Sequence, residues 1–309
     1  MNAIARSLED EVDIPLLEAH CDAVGMATLA KAVYQKGLFE SYALPFCSTV
    51  EAQAMGAEVV LGGRTSGPHA VGWAFELMDD WRAASPIDLE RGRARVVLDA
   101  IGILSVDETV PVTVGLTGPV SVAATVMEFC SFYKALRKKK AAAHEYLEFV
   151  TGELVRYGRA QIEAGADVIV VNESLAAQEI MGPVLFRDYA VPYLQQLQDE
   201  LRRAGARTIV YCFGRVPSDL PQIGRIDSNA LAFGTTISLA EARKALPGRV
   251  LVGGVPIADG IRFDAERARR QVRACMASGA DIIAPEYGVA MDFPVENIDV
   301  ILQTVKEVL

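Results

Sequence analysis

What this sequence lacks removes several classes of protein at once. Its five cysteines, Cys21, Cys47, Cys130, Cys212 and Cys275, are odd in number and scattered, with no CxxC spacing. A disulfide framework is therefore not expected, and a reducing cytoplasm is the expected setting. Residues 1–15 contain no apolar core of the kind a secretory signal needs. No apolar run reaches the roughly 18 residues that would read as a membrane span. There is no excess of positive charge either: the net charge is −10, which disfavours broad binding to nucleic acid or to acidic membranes. The one dense basic run, Arg137 to Lys140, reads as a solvated helix face. The GxxxxGK[ST] phosphate loop is absent, and no GxGxxG follows the first expected strand.

What is present is a large core. The chain has 309 residues, 51% of them hydrophobic and 23% charged, which excludes disorder. Short, continuously apolar runs recur at Ser41–Phe46, Glu58–Leu61, Val110–Leu116, Asp167–Val171, Thr208–Cys212, Asn229–Phe233, Arg249–Val252 and Asp281–Ala284. Stretches with helical spacing separate most of them, the pattern of parallel strands buried on both faces. A helix–Gly–Ala–Asp–strand junction occurs twice, at Gly165-Ala166-Asp167 and Gly279-Ala280-Asp281. About eight such units predict an α/β fold, a single (β/α)8 TIM barrel over residues 1–309 with extra N-terminal helices between Pro15 and about Lys36. A doubly wound open sheet is the alternative.

Barrel enzymes carry their chemistry at the C-terminal ends of strands. Those ends hold Cys47, Thr117, Asn172, Glu173, Cys212, Arg215, Thr235, Glu286 and Tyr287. Carboxylates, a thiol and a phenol that converge can act as acid and base or as metal ligands. Each also fits a structural role as a loop or helix cap. Thr49 and Ser48 are placed to cap a short helix, and Glu51 sits where it favours that helix's dipole. His20, beside Cys21, reads as a partly buried histidine, because adjacent residues do not share a helix face. His69 and Arg64 fall in a Gly/Ser/Thr-rich loop, and Arg64 and Arg215 offer places for a carboxylate.

Residues 44–56, Leu116-Thr117-Gly118-Pro119, residues 182–189 with Pro192-Tyr193, and residues 294–298 together resemble the methylcobamide:coenzyme M methyltransferases of the uroporphyrinogen decarboxylase superfamily. The stretch Pro15–Ala30 fits as well, so the resemblance spans nearly the whole chain. It implies a (β/α)8 barrel that works with cobalamin on a partner corrinoid protein. In that family a zinc ion on a His-x-Cys-Gly motif and a later Cys activates the acceptor thiol. Aligned on Gly214, this sequence has Tyr211 and Phe213 at the first two ligand positions and Tyr287 at the third, so the usual metal site is not expected. Nor is the N-terminal arginine motif of the superfamily's decarboxylase branch present, and Cys47 stands at that branch's essential aspartate position.

The resulting expectation is a corrinoid-linked methyltransferase. It would move a methyl group between a small molecule, or a tetrahydrofolate-like acceptor, and a partner-bound cobalamin. Glu173, Tyr211, Glu286 and Tyr287 are its expected catalytic groups, and Cys47, Asn172 and Arg215 its expected substrate-binding groups. The alternatives are a decarboxylase or lyase of the same superfamily, or a non-catalytic corrinoid-binding barrel. On this alignment Cys212 becomes a packed strand residue.

Overall fold

A computed structural model describes residues 6–63, 66–212, 220–255, 265–285 and 296–308. Seven parallel strands form one curled sheet in the order β1 (Tyr42–Leu44), β4 (Val112–Thr117), β5 (Val168–Glu173), β6 (Arg207–Cys212), β7 (Ala230–Phe233), β8 (Val250–Val255) and β9 (Ile282–Pro285). Apart from β4, whose neighbour in the sheet is β1, each strand pairs with the one before it in sequence, as a barrel built of successive βα units requires. Helices such as Gly92–Leu104, Lys140–Glu163 and Val191–Arg203 cover the outer face. Outward residues of the strands, including Val112, Val114, Leu116, Ile169, Val171 and Val210, enter the main core beneath them.

The repeated Gly–Ala–Asp junction has a specific purpose. Gly165 and Gly279 take φ of 114° and 96°, left-handed values that end a helix and turn the chain. The aspartate that follows then clamps the start of the neighbouring strand from both sides. Asp167 donates its N–H to the Val112 carbonyl (3.0 Å), and its carboxylate accepts the Val112 N–H (2.8 Å). Asp281 repeats the arrangement on Leu251, at 2.9 and 2.8 Å. At Asp281 the carboxyl is held below the usual range, because the Leu251 N–H and then Arg243 stabilise its charge.

Two expectations need correction. Glu58–Leu61 is not a barrel strand. β2 (Glu58–Val60) pairs antiparallel with β3 (His69–Gly72) in a separate two-stranded sheet. The connection through residues 61–68 is too short for a parallel crossover, and Glu58 and Val60 are exposed, so the local hairpin is the available pairing. The helix after β4, Pro119–Val126, ends at Met127, and the Glu128 carboxylate caps a new helix, Phe129–Lys138, by accepting from the Cys130 and Ser131 N–H groups. The basic run consequently straddles a helix junction at Lys139, which pairs with Asp79 at 2.7 Å.

Candidate functional site at the strand ends

Neighbouring strands place Thr117, Asn172, Tyr211, Ala232 and Val252 side by side across the sheet. Residues in register on parallel strands share a face. This row lies on the concave face, where Tyr211 packs with Ala230, Ala232 and Val252 in a small cluster separate from the main core. The row is polar on β4 to β6 and apolar on β7 and β8. An amide with two donors and an acceptor thus stands next to a phenol, above a dry wall.

Glu173 points the other way. It follows Asn172 on the same strand, and alternation sends it through the sheet to the outer layer. There it is buried at the start of the helix Pro119–Val126, accepting from the N–H groups of Val120 (3.1 Å) and Ser121 (2.8 Å) and from the Ser121 hydroxyl. A Cβ on Gly118 would lie 2.5 Å from its carboxyl oxygen, so only glycine admits the side chain here. Burial raises the Glu173 pKa to about 7, against the pull of these donors. The Gly118 N–H meanwhile donates to the Asn172 carbonyl at 2.8 Å. Glu173 therefore fixes the helix start that abuts Asn172, and it does not share a face with Tyr211.

A second cluster forms where β1 ends, and sequence reading missed its centre. Arg93, 7% exposed, donates to the His20 carbonyl (3.2 Å), the Thr49 hydroxyl (3.1 Å), the Gln53 amide oxygen (3.0 Å) and the Cys47 sulfur (2.6 Å). Thr49 does not cap its helix as expected; its hydroxyl accepts from Arg93 and points to the Cys47 sulfur at 3.5 Å. Glu51, 1% exposed, turns from the helix end to accept the Thr117 N–H and hydroxyl, both at 2.9 Å. Burial raises its pKa, while Thr117 and Arg93 oppose the shift. Cys47 and Thr117 are thus tied to one buried network at the same rim. His20 is wholly buried, more than the sequence predicted, and its ring meets Phe46 edge-on. Nothing in the spacing of residues 88–104 singled out Arg93.

Arg215, Glu286 and Tyr287, with Phe213 and Arg64, lie outside the described residues. Among the described residues no three His, Cys, Asp or Glu side chains are grouped to hold a metal ion. Tyr211, at the first position where the resemblance puts a zinc ligand, offers a phenol packed against alanine and valine. That is not a zinc donor set.

The fold and these rims define an α/β barrel with its candidate site at the C-terminal ends of parallel strands. The family model for uroporphyrinogen decarboxylase (URO-D) matches residues 2–308, and the chain belongs to that family. It is 31% identical over 305 residues to the methylcobamide:CoM methyltransferase MtaA of Methanosarcina barkeri, covering 94% of this chain and 86% of that protein. MtbA of Methanosarcina acetivorans, another methylcobamide:CoM methyltransferase, is 25% identical with the same coverage. A solved methyltransferase from Methanosarcina mazei superimposes with a TM-score of 0.91 at 29% identity, over 98% of this chain and 90% of that one. No described helix is long and apolar enough to cross a membrane.

Proposed function

We propose that this chain is a methyltransferase moving a methyl group between a small molecule and a cobamide carried by a partner corrinoid protein. The observation that carries this reading is the near full-length likeness to methylcobamide:CoM methyltransferases in sequence and to a methyltransferase in fold. Coenzyme M is what those relatives' names specify. Here Tyr211 occupies a position that would hold a thiol-activating metal, which favours an acceptor or donor other than a thiol: a tetrahydrofolate-type amine or a phenolic methyl ether. Methyl transfer between bound partners is largely a matter of alignment. In this reading Asn172 and Tyr211 bind and orient the small molecule on the concave face. Cys47, held by Arg93, forms part of the rim. Arg215, Glu286 and Tyr287 complete the mouth. Glu173 is a positioning residue acting through the helix start beside Asn172. The chain works as one domain in the cytoplasm.

The test is a methyl-transfer assay with methylcobalamin as the probe. It is incubated with a panel of thiols, tetrahydrofolate and phenols, and in the reverse direction cob(I)alamin is incubated with phenyl methyl ethers. Loss or gain of the methyl–cobalt absorbance and the methylated product are both followed. Transfer involving a non-thiol is expected, with Tyr211→Phe slowing it roughly a hundredfold if the phenol handles the proton. Absence of transfer with every member of the panel would sink the proposal. Corrinoid-independent release of carbon dioxide from a carboxylated substrate would favour the second reading, a decarboxylase, which the family's own description supports.

A further inference from the structure

A cleft of about 430 Å³ lies between the N-terminal segment, Arg6 to His20, and the loop from Leu61 to Pro68. It is far larger than a single water needs. None of the residues in the strand-end row lines it. Its polar lining is one-sided. Glu9, Asp10 and Asp13 supply three carboxylates, and the one cation among the described lining residues, Arg6, is directed across the cleft to the Gly63 carbonyl at 3.2 Å. Leu61 and Pro68 give the opposite wall an apolar surface.

The lining also includes His20, 1% exposed, and neither of its ring nitrogens has a hydrogen-bond partner among the described residues. A buried polar group without a partner costs on the order of 1–3 kcal/mol. Burial and the Arg93 charge hold its pKa down at about 4, so the ring is neutral at pH 7 and presents one acceptor nitrogen. What suits this cleft is an N–H donor with a positive charge and an apolar body. An anion would face three carboxylates. A metal ion would find no group of three ligands among the described residues, and one Glu9 oxygen already accepts the Leu16 N–H at 2.9 Å.

We propose that this cleft is a binding site for a small protonated alkylamine, with Asp10 and Asp13 facing its charge and the His20 ring accepting one of its N–H groups. The site is independent of the methyl-transfer reading, since it is built from the N-terminal helices and the hairpin loop. It is nevertheless coupled to the rim: the His20 carbonyl takes the Arg93 Nε–H, and the same guanidinium reaches Cys47.

Isothermal titration calorimetry on the full chain tests it, with cyclohexylammonium as the probe and cyclohexanol and cyclohexanecarboxylate as neutral and anionic matches. Saturable binding of the ammonium alone is expected at pH 7. The exposed double substitution Asp10→Asn with Asp13→Asn should weaken it roughly tenfold or more. His20→Phe, which keeps an aromatic ring against Phe46, should weaken it to a similar degree. The aspartate pair tests the charge requirement even where His20→Phe fails to fold. Absence of saturable ammonium binding, equal binding of the alcohol or the carboxylate, or affinity unchanged in the aspartate variant would each overturn the proposal.

Discussion

Replacing Arg93 with methionine should cost about 3–5 kcal/mol of folding stability, the range for removing one member of a buried, hydrogen-bonded charge network. The guanidinium is the only described donor to the Gln53 amide oxygen and to the Cys47 sulfur except for the Thr49 hydroxyl. It also serves the His20 carbonyl and Thr49. Methionine fills much of the volume but supplies none of these bonds, and it removes the positive charge that Glu51 feels. Lysine would restore the charge only in part, because a single ammonium cannot reach all four partners at once. Arg95 on the same helix is the control. Its side chain is 44% exposed and pairs with Asp99 at 2.8 Å and Glu90 at 3.5 Å, so Arg95→Met should leave the urea midpoint nearly unchanged. Equal midpoints for the two variants would show that the Arg93 network does not hold the β1 rim.

Such a residue is invisible in sequence for a physical reason. Arg93 meets partners 40 to 73 positions away, and no local period reports that. The strands were legible because burial on both faces demands unbroken apolar runs, and that demand is local. The Gly–Ala–Asp junctions were legible as turns through the glycine. The aspartate's grip on Val112 or Leu251 was not, since it depends on which strand lies alongside. Glu58–Leu61 misled for the opposite reason: its composition suits a strand, and only the chain length to its partner decides between a hairpin and a barrel. At the site, strand alternation alone separates Asn172 from Glu173, and that much could be read from adjacency. That Asn172 stands beside Tyr211 required the register between β5 and β6.

The second large effect is a pair of opposed pH dependences. Burial keeps Glu173 protonated in the folded chain up to about 7, whereas its ordinary value is 4.5. Between those values the unfolded chain has released the proton and the folded chain has not. Stability from this group is full below 4.5 and is lost as pH rises to 7, by on the order of 3 kcal/mol. His20 runs the other way. Burial, then Arg93, lowers it from 6.5 to about 4, so between those values the unfolded chain binds a proton that the folded chain refuses. Stability from His20 is present above 6.5 and is lost as pH falls to 4, by a similar amount. In the overlap, from 4.5 to 6.5, the two slopes cancel. Single substitutions should uncover each one. The urea midpoint of Glu173→Gln should climb relative to wild type from pH 4.5 to 6.5, and that of His20→Phe should fall relative to wild type over the same range. The double variant should again track wild type, because every other titrating group, Glu51 included, is shared and drops out of the differences. A Glu173→Gln profile parallel to wild type would mean that Glu173 is ionised throughout, held as a carboxylate by the helix N–H groups it caps. In that case the start of the helix Pro119–Val126, and with it the Asn172 carbonyl that the Gly118 N–H engages, would be insensitive to pH near neutrality.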